Sequence, residues 1–162
     1  MKTKKCDLPY KRIVAKFGTS LLTGGSDHLD LNMVSSLVDQ LAGLHNRGVE
    51  VAVVTSGAVA CGRNKLGLPQ KVKGIPYKQV LSSVGQSRLM YTYENLFSRH
   101  NITIAQALLT RAALRDRAGY LNARNTLMAL IELGVISIIN ENDVVAIDEI
   151  QGIRFGDNDN LS

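Results

Sequence analysis

Short apolar runs alternate along the chain with longer segments whose apolar residues recur every three or four positions. The runs predict four strands, at Arg12–Phe17, Val49–Thr55, Ile102–Leu109 and Val135–Ile139. The periodic segments predict three helices, at 31–48, 77–99 and 122–133. Strands that alternate with helices are typical of a parallel sheet wound with crossover helices. The pattern therefore predicts an α/β fold.

The apolar positions in each predicted helix indicate which side of that helix faces the core. Asp30 is a plausible N-cap for the first helix, which should end at Gly48. Its expected core stripe consists of Leu31, Val34, Leu37, Val38, Leu41 and Leu44. In the second helix the apolar face changes near Gly85, which suggests a kink or a rotation there. In the third helix, Leu127, Leu130 and Ile131 form the expected buried side.

Composition points to one domain in a reducing compartment. The chain has 162 residues, 45% of them hydrophobic, which is enough for one core. Cys6 and Cys61 are too few for a disulfide framework or a zinc module. No apolar run is long enough to span a bilayer, and the N-terminus lacks the apolar segment of a secretory signal. We expect a cytoplasmic protein without a membrane partner.

The net charge of +5 is concentrated at the N-terminus. Residues 1–12 contain five lysines and arginines against one aspartate, so the rest of the chain is nearly neutral. No aromatic residues are interleaved with these cations, as they would be in many surfaces that bind single-stranded nucleic acid. We therefore interpret residues 1–11 as a basic tail and do not expect a nucleic-acid partner.

Four polar clusters follow predicted strands or hairpins and are candidates for a binding site. They are Gly18–Ser20, Thr55–Gly57, Asn140–Asp143 and Gly156–Asn160. In open parallel sheets the carboxyl ends of the strands face a common crevice in which ligands bind. Each cluster alone is more typical of an ordinary turn or a solvated loop, so only their combination carries weight.

Several common sites are excluded by sequence. The chain has neither the Gly-Lys-Ser/Thr ending of a P-loop nor a Gly-x-Gly-x-x-Gly that opens a helix. The last polar cluster lacks the terminal glutamate of an EF-hand, so no metal site is expected. Ser56 has no neighbouring His or Asp in the sequence that would serve as its base, which disfavours a hydrolase triad.

The chain from residue 12 to its end resembles the glutamate 5-kinases of the amino-acid kinase family in the order and spacing of seven stretches. These are Lys16–Ser20, Val54–Ala58, Val84–Gln86, Gln106–Thr110, Asn122–Arg124, Ile139–Asp143 and Phe155–Ser162. The Lys-x-Gly-x-Ser pattern is shared across the wider family. Ile-Asn-Glu-Asn-Asp followed by Gly-Asp-Asn-Asp is much more particular to the glutamate enzymes.

The resemblance implies an open αβα sandwich with a mostly parallel sheet. Residues 12–162 would be its glutamate-binding part, with most of the nucleotide-binding half missing at the C-terminal side. It implies transfer of the ATP γ-phosphoryl group to the glutamate side chain, the first step of proline synthesis, with Mg²⁺ carried by the nucleotide. A homo-oligomer is expected. On this view the chain is a fragment or a truncated gene product and is inactive by itself.

The resemblance also assigns residues to roles. Ser56, Asp143 and Asn158 fall on glutamate-contacting positions, and Gly57 and Asn140 lie beside them. Lys16 falls on a catalytic, phosphate-contacting lysine, and Gly18, Thr19 and Ser20 would complete the phosphate-binding loop. Asp159 falls on the aspartate that holds the catalytic lysines in place.

Three other functions are open at this point. The chain could come from the kinase part of a bifunctional pyrroline-5-carboxylate synthase. It could be a kinase for another small acid, such as acetylglutamate or aspartate, although the Asn-Glu-Asn-Asp cluster disfavours this. It could also be a catalytically silent module that binds glutamate or supports assembly.

Overall fold

The computed structural model describes residues 8–68 and 75–146. Residues 1–7 of the basic tail lie outside the described residues, as does the whole Gly156–Asn160 cluster. So does the stretch 147–155, where the weak alternation of apolar residues after Val144 would allow a hairpin. Asn158 and Asp159, the substrate-binding and catalytic predictions of that cluster, are therefore not placed by the structure.

A sheet of four parallel strands forms the centre of the described structure. The strands are β1 (Arg12–Phe17), β2 (Glu50–Thr55), β3 (Ile104–Leu109) and β4 (Ile136–Glu141). Their spatial order is β1-β2-β4-β3, so β4 lies between β2 and β3. All three pairings are parallel. The predicted α/β fold and the four predicted strands are confirmed, with boundaries shifted by one or two residues.

Six helices connect and flank the strands in the described part of the chain. They are α1 (Thr19–Thr23), α2 (Leu31–Asn46), α3 (Ala58–Leu66), α4 (Ile75–Ser98), α5 (Arg111–Arg115) and α6 (Arg117–Glu132). Asp30 caps α2 as predicted, because its carboxylate accepts from the backbone N–H groups of Asn32 and Met33 at 3.0 Å each. None of these helices is both long and apolar enough to cross a membrane.

The two faces of the sheet bury different cores. Alternate strand residues such as Val53 and Ile138 join the main core, which α2, α3 and α4 cover. The intervening residues Ala52, Val54 and Ile139 form a smaller cluster, against which Leu127 of α6 packs. Helices therefore lie on both sides of the sheet, in agreement with the sandwich that the resemblance implies.

Several local predictions were wrong. Leu31, predicted to be core, is 61% exposed because it begins α2 at the surface. In α6 the predicted inner side is correct, because Leu127, Leu130 and Ile131 are half-buried while most of their neighbours are exposed, but none of the three is fully buried. The second predicted helix corresponds to α4, which runs without interruption through Gly85. The stretch after Gly18, predicted as a turn, begins the short helix α1.

Candidate functional site

The parallel sheet brings the carboxyl ends of its strands to one edge. The backbone N–H of Ser56 donates to the carbonyl of Phe17 at 2.9 Å, so the residues that follow β1 and β2 are neighbours. The N–H of Asn142 likewise donates to Leu109 at 2.9 Å across β4 and β3. Three of the four predicted clusters therefore lie along the same edge, as expected for an open parallel sheet.

The turn between β2 and α3 presents Ser56 and Gly57 at this edge. Gly57 is the N-cap of α3 with φ 100°, a left-handed conformation that favours glycine. Before it, the buried Thr55 hydroxyl lies 2.8 Å from the hydroxyl of Tyr93. This contact ties the end of β2 to α4. Sequence reasoning recognised the small residues here but missed that they begin a helix.

Asp143 lies just beyond β4 with its side chain only 14% exposed. The hydroxyl of Ser82 donates to Asp143 Oδ2 at 2.5 Å. On the other oxygen, Lys78 Nζ lies 3.7 Å from Oδ1. Both partners belong to α4, and neither was predicted as a site residue. No short-range pattern could have found them, because Ser82 is 61 positions from Asp143 in sequence.

Asn140 and Gln86 form a buried amide pair at the end of β4. Asn140 Nδ2 donates to Gln86 Oε1 at 2.8 Å, and the two residues are 3% and 9% exposed. Asn140, predicted to lie in a loop, belongs to the strand and points to the α4 side, like Ile138 and Ile136 two and four positions earlier. Gln86 lay within one of the seven stretches of the resemblance, but no role was predicted for it.

Two glycine contacts fix α3 against α4 at this position. A Cβ atom on Gly85 would overlap the carbonyl oxygen of Ala58, and one on Gly62 would overlap the carbonyl oxygen of Leu81. The two helices are thus in backbone contact. As a result, the Ser56–Gly57 turn that precedes α3 and the polar face of α4 are held in a fixed relation.

The residues at the end of β1 are more exposed than those at the end of β4. Lys16 is exposed and pairs in register with Val54, so it lies on the face of the sheet opposite to Phe17 and Asn140. Gly18 begins α1, and a Cβ atom on it would meet nothing within 4 Å. Thr19 and Ser20 are exposed in the first turn of α1. The predicted phosphate-binding residues therefore lie two strands away from Asn140 and Asp143, on the same edge.

The described residues contain no group of three or more His, Cys, Asp or Glu side chains that could hold a metal ion. The donors and acceptors gathered at the edge are instead carboxylates, side-chain amides, hydroxyls and a lysine ammonium. Such a set suits a small ligand that carries both an ammonium and carboxylates.

Comparison with known proteins identifies similar chains. The amino acid kinase family profile matches residues 11–162. A glutamate 5-kinase of Dehalococcoides mccartyi (strain ATCC BAA-2266 / KCTC 15142 / 195) is 61% identical over 153 residues, which cover 94% of this chain and 41% of that protein.

Other bacteria contain similar proteins under the same name. A glutamate 5-kinase of Syntrophus aciditrophicus is 51% identical over 152 residues, covering 94% of this chain and 38% of that protein. A glutamate 5-kinase of Herpetosiphon aurantiacus is 52% identical over 153 residues, which cover 94% of this chain and 40% of that protein. The chain thus spans about two fifths of the length of the curated relatives it matches.

Proposed function

Because the chain belongs to the amino acid kinase family, we propose that it forms the glutamate-binding part of a glutamate 5-kinase. The observation that carries this proposal is the 61% identity, over 153 residues, to a protein of that name. The reaction would transfer the γ-phosphoryl group of ATP to the side-chain carboxylate of L-glutamate, giving γ-glutamyl phosphate, the first step of proline biosynthesis.

The strand-end site supports glutamate as the substrate. Asp143 would pair with the substrate ammonium, because its nearly buried carboxylate is the anionic group at the α4 side of the edge. Ser56, the backbone at Gly57 and Asn158 would supply neutral donors to the carboxylates, and Asn140 would belong to the same substrate-binding region through its bond to Gln86. A site that satisfies charges in this way favours an amino acid with a second carboxylate over a neutral one.

The phosphoryl transfer would take place nearer to β1. An oxygen of the substrate carboxylate attacks the γ-phosphorus as the bond from phosphorus to the ADP oxygen breaks. The carboxylate is already ionised at neutral pH, so no base has to remove a proton. Lys16, with Gly18, Thr19 and Ser20, would bind the moving phosphoryl group, and Asp159 would position the cationic groups around it.

We further propose that Mg²⁺ reaches the site bound to ATP phosphates rather than to a protein cage. The protein would act in the cytoplasm, a proposal supported by its free, buried Cys61 thiol. It would assemble as a homo-oligomer. The exposed apolar side chains of α6 support a covered surface there, since Tyr120 and Leu121 are 50% and 41% exposed.

Calorimetry on the purified chain tests the substrate assignment. L-glutamate should bind, whereas L-aspartate and N-acetylglutamate should bind at least tenfold more weakly. A chain that binds ATP but not glutamate would contradict the proposal.

The reaction is tested on a fusion of this chain to the remaining segment of the Dehalococcoides mccartyi relative. Glutamate-dependent formation of ADP, with hydroxylamine trapping of an acyl phosphate, is the expected result. ADP formation without glutamate-dependent hydroxamate would assign a different acceptor.

A further inference from the structure

Gln86 carries a buried hydrogen-bond donor that no described protein group accepts. The residue is 9% exposed, and its Nε2 has no hydrogen-bond partner among residues 8–68 and 75–146. Its Oε1 is already used, because it accepts from Asn140 Nδ2 at 2.8 Å. An unsatisfied buried amide donor is costly to folding, so a partner of acceptor chemistry is expected to bind there.

The position of Gln86 places this donor in the strand-end site. It lies one helical turn after Ser82, whose hydroxyl binds Asp143. It lies two turns after Gln79, which donates to the Val144 carbonyl at 3.2 Å. One face of α4 therefore follows the end of β4 and the loop beyond it. Along the helix axis, Gln86 and Ser82 are separated by about 6 Å, a span that a small amino acid covers.

The backbone around Gln86 cannot shift to bury this donor elsewhere. Its neighbour Gly85 is in direct contact with the carbonyl of Ala58. Asn140 also fixes the orientation of the Gln86 side chain, because donation from Nδ2 requires the amide oxygen of Gln86 to face it. The Nε2 group therefore has a fixed direction before any ligand binds.

We propose that Gln86 Nε2 donates a hydrogen bond to the α-carboxylate of the amino-acid substrate and that Asn140 is the positioning residue for this contact. The inference rests on the proposed function. The α-carboxylate shares its carbon with the ammonium assigned to Asp143, so both groups belong at the α4 side of the edge. The reacting γ-carboxylate must extend towards Lys16 on β1, two strands away.

The substitution Gln86→Glu isolates the donor. The new side chain has the same shape and still offers an oxygen to Asn140 Nδ2, but it presents a carboxylate where the Nε2 donor was. By calorimetry on the full chain, the Kd for L-glutamate should rise at least roughly tenfold, since a hydrogen bond to a charged group is lost and like charges are opposed.

Substrate analogues identify which carboxylate is bound. L-isoglutamine, the α-carboxamide of glutamate, provides an N–H that a carboxylate at position 86 accepts. The ratio of isoglutamine affinity to glutamate affinity should therefore rise at least tenfold in Gln86→Glu. L-glutamine, which changes only the γ-carboxylate, should lose as much affinity as glutamate does. An unchanged isoglutamine-to-glutamate ratio would overturn the inference.

Two further variants keep the test decisive. Gln40→Glu makes the same substitution on α2, where Gln40 bonds to the Ser36 carbonyl at the surface, and it should leave both affinities unchanged. Asn140→Asp forces the Gln86 amide to turn, because an aspartate accepts where asparagine donated, and so presents Oε1 to the ligand. It should shift the ratio in the same direction even if Gln86→Glu does not fold.

The outcomes also separate this inference from the proposed function. The parent chain could bind glutamate while Gln86→Glu and Asn140→Asp keep its isoglutamine-to-glutamate affinity ratio. That result would overturn the role of Gln86 but not the proposed function. Failure of the parent chain to bind glutamate would overturn the proposed function and the Gln86 contact together.

Discussion

Gly85 in α4 packs directly on the carbonyl of Ala58 in α3, so closely that a Cβ atom at position 85 would overlap the oxygen. A matching contact joins Gly62 of α3 to the carbonyl of Leu81 in α4. Glycine is therefore required on both helices for them to approach this closely. The contact aligns the β2–α3 turn with the face of α4 that carries Ser82 and Gln86.

Substituting either glycine should destabilise the protein. Gly85→Ala and Gly62→Ala each force the helices apart, at a cost of about 1 to 3 kcal/mol in the free energy of unfolding, or more because the clash is with backbone. Urea unfolding checks this. Gly43→Ala is the matched control, since a Cβ there meets nothing within 4 Å, and it should stabilise α2 by about 0.5 to 1 kcal/mol. Equal effects at all three positions would contradict close packing as the cause.

Asp143→Asn should weaken glutamate binding while leaving ATP binding nearly unchanged. Removing one partner of a desolvated ion pair costs about 2 to 5 kcal/mol, and Asp143 is the proposed partner of the substrate ammonium. Calorimetric titration of the fusion protein with each ligand measures the two effects. Asp39→Asn, which alters only a surface pair 2.8 Å from His100, is the control. If Asp143→Asn weakened both ligands equally, its role would be structural.

Lys16→Ala should lower kcat of the fusion protein by roughly 10²-fold or more, with a modest change in glutamate affinity, because a fixed cation stabilises charge that develops in the transition state. Lys16→Arg should lower kcat as well, since a planar guanidinium does not replace a compact ammonium. Lys65→Ala, at an exposed position of α3, is the control. A kcat within about threefold of the parent, or roughly 0.7 kcal/mol of barrier, would show that Lys16 is not catalytic.

The buried thiol of Cys61 should make stability fall at alkaline pH. Burial raises its pKa from 9.0 to about 11, so the folded state keeps a proton that the unfolded state loses above pH 9. The stabilisation is complete below pH 9 and is lost as pH rises towards 11. Between pH 8 and pH 10 the loss should be about 1 kcal/mol.

Comparison with Cys61→Ala isolates this contribution. The variant should show a smaller fall in urea-unfolding free energy between pH 8 and pH 10. Tyr93, whose pKa burial raises to about 12, is present in both proteins and should leave a residual fall in the variant. Parallel pH profiles for parent and variant would rule out Cys61 as the source.

The amino-acid pattern alone was enough to predict the strands and the strand ends at which polar residues gather. Apolar runs such as Val51–Val54 are local signals, because a strand buried on both faces needs apolar side chains at every position. The Asp30 cap could also be predicted from the local sequence, since a capping side chain accepts hydrogen bonds from backbone N–H groups only two or three residues away. The resemblance then assigned Ser56, Asn140 and Asp143 to one site, and the structure places them along one edge.

Only the tertiary structure decided how that edge is lined. β4 lies between β2 and β3, and Lys16 and Asn140 lie on opposite faces of the sheet. Both arrangements depend on pairing between strands that are distant in sequence. Gln86 meets Asn140 across 54 positions of sequence, in a geometry set by the contact between α3 and α4. The spacing of apolar residues in α4 predicts which side of the helix is buried. It does not predict which buried donors find an acceptor, because that depends on how the interior packs. The unpartnered donor of Gln86 therefore exists only in the fold.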